Sequence, residues 1–119
     1  MSVKLTYTLI FLFFFTWIFS SFITFAKSDL PGKYLFHNSQ GKYGSCNHCH
    51  IGGASGGRWN FETQKIDQEE GRKIPCLKGI GKRKEQEQIE RSIQLMKKLF
   101  DFKLTDEQIS QLAEYLGTL

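Results

Sequence analysis

The residues of this sequence best suited to chemistry are two cysteines and a histidine in the pattern C-x-x-C-H. Cys46 and Cys49 stand three positions apart, and His50 follows directly. Two thiols at this spacing can both reach the vinyl groups along one edge of a porphyrin, and the adjoining imidazole is then held beneath the iron. The spacing therefore predicts one covalently bound haem c, with Cys46 and Cys49 forming thioethers and His50 as the proximal iron ligand.

Two other kinds of site use cysteines at this spacing. Zinc could bind the cysteines and histidines of residues 46–50, but a structural zinc site usually takes two ligand pairs from separate places, and Cys76 is the only other cysteine. A redox-active disulfide usually opens the helix of a strand–helix unit, which this sequence does not predict. No cluster of acid, base or nucleophile adjoins the motif, so we expect no catalytic residue and no enzyme.

The first 26 residues differ in composition from the rest of the chain. Lys4 is followed by an uncharged, largely apolar stretch from Leu5 to Phe25, and Thr24-Phe25-Ala26 carries small residues that a signal peptidase accepts. We therefore predict a signal peptide over residues 1–26, one domain over residues 27–119, and export to the periplasm or an equivalent compartment. The alternative is a retained membrane anchor, because about twenty apolar residues can span a bilayer.

The charge balance of the predicted mature chain is mildly basic. Lys4 is the only one of 16 basic residues in the leader, so 15 remain against 12 acidic ones. This excess is compatible with an acidic partner protein, but it is too small to predict nucleic-acid binding.

Helical patterns occupy both ends of the mature chain. Residues 29–37 predict a short helix, and four apolar residues at helical spacing predict a longer one: Ile89, Ile93, Met96 and Phe100. Thr105, with Gln108 three residues on, is the capping box of a last helix that Gly117 closes. The apolar stripe of this helix comprises Ile109, Leu112, Ala113 and Leu116.

The middle of the chain carries no helical or strand periodicity. Trp59 and Phe61 are the expected buried residues of a glycine-rich stretch, and residues 64–84 are highly charged apart from the apolar island 74–77. Because no strand pattern competes with the helices, we predict an all-α domain built around one haem.

The quoted motifs resemble class I cytochromes c. Gly32-Lys33-Tyr34-Leu35-Phe36 is similar to the N-terminal helix of that family, and Leu104 to Leu116 is similar to its C-terminal helix. The resemblance implies that these helices cross, with Gly32, Phe36 and Tyr115 at the crossing. It also implies a distal methionine in a proline-containing loop before the last helix, and this sequence has no such loop. Met96 would instead act from a helix, as in monohaem subunits of the sulfite-dehydrogenase type.

A second resemblance concerns Cys76. The small size, single haem site and additional cysteine are similar to the NaxLS cytochromes c of anaerobic ammonium-oxidising bacteria. That similarity implies a heterodimer with a second small cytochrome c subunit, histidine and cysteine on each iron, and the anammoxosome as a possible compartment.

The residues themselves leave the distal ligand open. Cys76 is the one thiol that the thioethers do not use, its basic sequence neighbours favour the thiolate, and Pro75 would stiffen its approach to the iron. Met96 is the alternative, although a methionine in an apolar stripe is usually core. His37 or an open site comes next, whereas His48 lies within the attachment loop and cannot reach the opposite haem face.

The choice of ligand decides the expected function. A thiolate stabilises ferric iron, which predicts a low-potential cytochrome whose Cys76 could leave on reduction and admit nitric oxide or carbon monoxide. A thioether predicts a plain electron-transfer subunit of a periplasmic oxidoreductase. A haem-based gas sensor or carrier is the further alternative.

Overall fold

Four α-helices and one small sheet form the part of the chain that the computed structural model describes, residues 30–119. The predicted signal peptide lies outside these residues. Within them, no helix has the length and apolar character needed to span a bilayer. The helices are α1 (Pro31–Asn38), α2 (Cys46–Cys49), α3 (Gln86–Phe100) and α4 (Asp106–Leu116), the strands are β1 (Arg58–Asn60), β2 (Lys65–Asp67) and β3 (Arg72–Lys73), and 3-10 turns occur at Ile51–Gly53 and Ile80–Lys82.

Helices α1 and α4 cross at very close range. Gly32 is buried at the crossing, where a Cβ atom would overlap the Gln111 carbonyl oxygen and lie 2.7 Å from Cβ of Tyr115. One turn further along α1, the ring centroids of Phe36 and Tyr115 are 5.7 Å apart. Glycine is therefore required at residue 32, because any side chain would push the two helices apart.

Helix α4 forms as its sequence predicts. The Thr105 hydroxyl accepts a hydrogen bond from the Gln108 backbone N–H, and the Gln108 side chain accepts one from the Thr105 N–H. All four residues of the predicted stripe are buried: Ile109, Leu112, Ala113 and Leu116. Burying each aliphatic side chain of this kind stabilises the fold by roughly 1.5–3 kcal/mol.

Helix α3 packs on α4 through the first half of its predicted stripe. Ile89 and Ile93 are buried in the core, whereas Met96 and Phe100 are half-buried. Glu85 caps the helix through a reciprocal pair of hydrogen bonds with Gln88. The first half of the apolar stripe of α3 therefore lies in the core, whereas its second half lies at the edge of the core.

A three-stranded antiparallel sheet, which the sequence did not predict, connects α2 to α3. Its strand order is β2-β1-β3, with Trp59 opposite Ile66 and Arg58 opposite Lys73. The strands have two or three residues each, too few to display an alternating pattern. The described residues are about 49% helical, so the domain is mainly helical with this one β insertion.

The prediction of two buried aromatics in this region is half right. Trp59 is buried, and its ring lies 5.0 Å from Tyr43 and 5.4 Å from Phe100, measured between centroids. Phe61 is 55% exposed, so its predicted burial is wrong. The Asn60 side chain accepts hydrogen bonds from the two N–H groups after Phe61, and this turn directs Phe61 away from the core.

Candidate functional site

The cysteines of the motif lie on a single helical turn. Cys46 and Cys49 are the first and last residues of α2, and residues three apart on a helix share one face. Both side chains are half-buried and line the same cavity as His50. The Asn47 side chain accepts a hydrogen bond from the Gly52 N–H at 2.8 Å and closes the loop after the motif. The local fold thus presents two thiols and an imidazole together.

A backbone carbonyl fixes the imidazole of His50. Nδ1 of His50 lies 3.0 Å from the carbonyl oxygen of Pro75, 25 residues away. Because a carbonyl oxygen can only accept, Nδ1 carries the proton and Nε2 keeps its lone pair. Metal-binding histidines are commonly oriented in this way, by a hydrogen bond from the second ring nitrogen. His50 is therefore held in the tautomer that a metal ion requires.

Burial also favours the neutral form of His50. Removal from solvent lowers the pKa of the imidazole, against the smaller opposing effect of the hydrogen bond to Pro75. A neutral imidazole is the form that binds iron. Because burial favours this form, iron would not have to displace a proton from Nε2 of His50.

An apolar cavity of about 240 Å³ extends from Cys46 and His50 into the core. A smaller one of about 60 Å³ lies beside both cysteines. The two adjoin, since Cys46, His50, Met96 and Phe102 line both. The side chains around the larger cavity are almost all apolar and come from the segment 75–80, from helices α1, α3 and α4 and from the linker between α3 and α4: Phe36, Pro75, Leu77, Ile80, Ile89, Ile93, Leu95, Phe102, Leu104, Leu112 and Leu116.

This arrangement suits the predicted cofactor. A haem needs an apolar space, two thiols at one edge and a neutral imidazole within it, and all three occur together. The cavity accounts for the half-burial of the second half of α3, because Met96 faces into it. The residues present therefore fit a covalently attached haem.

The thiols are poorly suited to redox-disulfide chemistry. Burial raises the pKa of the Cys46 thiol to about 11 and also raises that of Cys49. A redox-active C-x-x-C motif works through a thiol whose pKa is lowered. For zinc, residues 30–119 hold no group of three or more histidine, cysteine or acidic side chains placed to bind one ion. Neither alternative gains support from the geometry.

Cys76 does not line either cavity. Its side chain is exposed, and Sγ lies 3.8 Å from the carbonyl oxygen of Gly53. The neighbouring Pro75 contacts His50 on its Nδ1 side, away from the nitrogen that would bind iron. The structure therefore brings Pro75 to His50 and leaves Cys76 outside the lining of the two cavities.

The remaining candidates occupy different positions. Met96 is half-buried and lines both cavities together with His50. His37 is exposed on α1 with its ring against the edge of Phe36, and His48 is exposed on α2; neither lines the two cavities. Of the distal ligands considered from the sequence, Met96 is the one that the fold brings to the site.

Two features of the site escaped prediction. Pro75 holds His50, and Phe102, which is buried and lines both cavities, belongs to a linker that showed no pattern. The apolar island 74–77 was the available signal, because such residues in a charged segment need an apolar surface to cover.

Comparison with known protein families, with curated proteins and with solved structures gives no significant match to this chain.

Proposed function

We propose that this chain is a monohaem c-type cytochrome that carries single electrons, and that His50 and Met96 would bind the haem iron. One observation carries the proposal: the Pro75 carbonyl fixes the His50 tautomer where two apolar cavities adjoin, the smaller of which is lined by both thiols of the motif. Such a set of neutral imidazole, paired thiols and apolar space is the environment that a covalent haem uses.

Each residue of the site has a defined task in this proposal. Cys46 and Cys49 would hold the haem covalently, His50 would offer Nε2 to the iron, and Met96 would offer a thioether sulfur from α3. The aromatic and aliphatic lining would give the haem largely apolar surroundings. Bound haem would supply one-electron exchange between ferric and ferrous iron. A thioether ligand would favour ferrous iron, and apolar surroundings would disfavour the additional positive charge of ferric iron. Both effects would raise the reduction potential of the haem.

The proposal includes export, because a predicted signal peptide over residues 1–26 precedes the motif. The haem would be attached after export, in the compartment to which the signal peptide directs the chain. The low-potential hypothesis with Cys76 on the iron, and nitric oxide or carbon monoxide binding through its release, remains the second candidate. Its support is the additional cysteine, which no disulfide uses within residues 30–119.

Production of the full chain in a host with a c-type cytochrome maturation system tests the proposal. We expect a purified product with a haem Soret band and a mass increased by one haem, retained after denaturation because thioethers are covalent. The variant Cys46→Ala/Cys49→Ala should lose the covalent mass, while Cys76→Ala, which removes the third cysteine, should keep it. A wild-type product without haem would contradict the proposed function.

A further inference from the structure

The carbonyl oxygen of Gly53 anchors the chain just after Pro75. The N–H groups of Leu77 and Lys78 both donate to it, at 2.7 Å and 3.1 Å. Gly53 is in turn tied to the motif, because its own N–H donates to the main-chain carbonyl oxygen of His50 at 2.8 Å. Since the Pro75 carbonyl accepts the hydrogen bond from the His50 ring, these contacts form a closed ring around the imidazole.

Leu119 contacts this ring of contacts at two points. Its N–H donates to the Leu116 carbonyl oxygen at 3.2 Å, which ties Leu119 to the last turn of α4. Its main-chain oxygen accepts a hydrogen bond from the Gly79 N–H at 2.8 Å. Its side chain lies directly on Gly53, where a Cβ atom would be 2.9 Å from Cδ1 of Leu119. Leu119 therefore holds both the segment that carries Pro75 and the glycine that anchors this segment.

The fit between Leu119 and Gly53 depends on glycine. Gly53 is buried and has φ +84°, a left-handed conformation that glycine adopts without strain. Its missing side chain leaves room for the isobutyl group of Leu119, which is half-buried and packs against the hydrophobic core. Leu119 itself lines neither cavity. Its contact with the candidate site is therefore made through Gly53 and the segment 77–79.

We propose that Leu119 is a positioning residue for His50, because it keeps the Pro75 carbonyl within hydrogen-bond distance of Nδ1; this rests on the proposed function, in which His50 would bind iron through Nε2. A hydrogen bond donated by Nδ1 makes the imidazole a stronger donor at Nε2. A stronger donor stabilises ferric iron. Leu119 thus lowers the reduction potential of the haem-loaded chain without touching the haem site itself.

Leu119→Ala in the full haem-loaded chain tests the proposal. Loss of the isobutyl group uncovers Gly53, so we expect the segment 77–79 to open more often and the amide proton of Leu77 to exchange with solvent about tenfold faster. The reduction potential should rise, because the hydrogen bond between His50 and Pro75 is then formed for a smaller fraction of the time. Hydrogen exchange followed by NMR and a redox titration measure the two effects.

Leu35→Ala is the matched control. Leu35 is also half-buried and packs against the same core, but it lies on α1 and lines neither cavity. Both variants lose a similar apolar contact, so we expect similar decreases in the free energy of unfolding, whereas only Leu119→Ala should shift the reduction potential. Leu119→Met should restore the wild-type potential, because methionine fills nearly the same volume as leucine.

The outcomes separate the two proposals. An unchanged potential in Leu119→Ala, or an equal shift in Leu35→Ala, would overturn the positioning role, while the Soret band of the same samples still supports the proposed function. A chain that carries no haem contradicts the proposed function instead. In that chain, nitrogen-15 NMR of the His50 ring tests Leu119 separately: mixed tautomers in Leu119→Ala but not in Leu35→Ala support the positioning of the imidazole, and an unchanged tautomer overturns it.

Discussion

At the scale of single residues, the contrast between two sulfur side chains decides the chemistry of the site. Met96 lines the cavity that holds His50, whereas Cys76 is exposed beside Gly53. We expect Met96→Ala to abolish the near-infrared methionine-to-iron charge-transfer band. The reduction potential should fall by on the order of 0.1 V, within the roughly 0.8 V range that axial ligands span. Optical spectroscopy and a redox titration measure both effects.

Cys76→Ala is the matched control for that experiment, because it removes the other candidate sulfur. We expect its ferric optical and paramagnetic resonance spectra to equal those of the wild-type protein. The opposite result, with altered spectra for Cys76→Ala and unchanged ones for Met96→Ala, would instead support the thiolate ligand and the low-potential, gas-binding hypothesis.

At the scale of elements, the crossing of α1 and α4 depends on one glycine. Gly32→Ala places a methyl group on the Gln111 carbonyl oxygen, so the helices must separate or shift. Overpacking of this kind costs about 1–3 kcal/mol, which we expect as a lower free energy of unfolding in denaturant titrations. Gly117→Ala is the control, since Gly117 has helical dihedral angles (φ −62°, ψ −15°) and should tolerate alanine. An equal decrease in the free energy of unfolding of the two variants would contradict the close crossing of α1 and α4.

Local signals explain which elements could be predicted from the sequence. The capping box and the stripe of α4 lie within twelve residues of one another, and that helix formed as expected. The β insertion depends on pairing between strands too short to show a pattern, and it was missed. The hydrogen bond between His50 and Pro75 joins residues 25 apart. The sequence could not reveal this contact, because the proximity of Pro75 to Cys76 along the chain carries no information about which side chain the Pro75 carbonyl meets in the fold.

At the scale of the whole molecule, the hydrophobic core and the proposed haem site share the same side chains. The larger cavity lies among residues of α1, α3 and α4, the helices that also form the hydrophobic core. A haem bound there would remove this apolar lining from water, and burying apolar surface stabilises a fold by roughly 25 cal/mol per Å². Small domains have a total stability of only about 5–15 kcal/mol. We therefore expect the proposed cofactor to contribute an appreciable part of the stability of this domain.

This dependence gives a prediction for the haem-free chain. Cys46→Ala/Cys49→Ala, produced under the same conditions, should have a free energy of unfolding lower by about 3–5 kcal/mol, as for the loss of a large buried group, and a less cooperative thermal transition, because the apolar lining is then no longer covered by covalently bound haem. Circular dichroism and calorimetry measure the loss against Cys76→Ala, which removes a cysteine without removing the cofactor. A haem-free variant that unfolds as cooperatively as Cys76→Ala, at a similar temperature, would contradict it, because helices that pack equally well without the cofactor would leave no space for one.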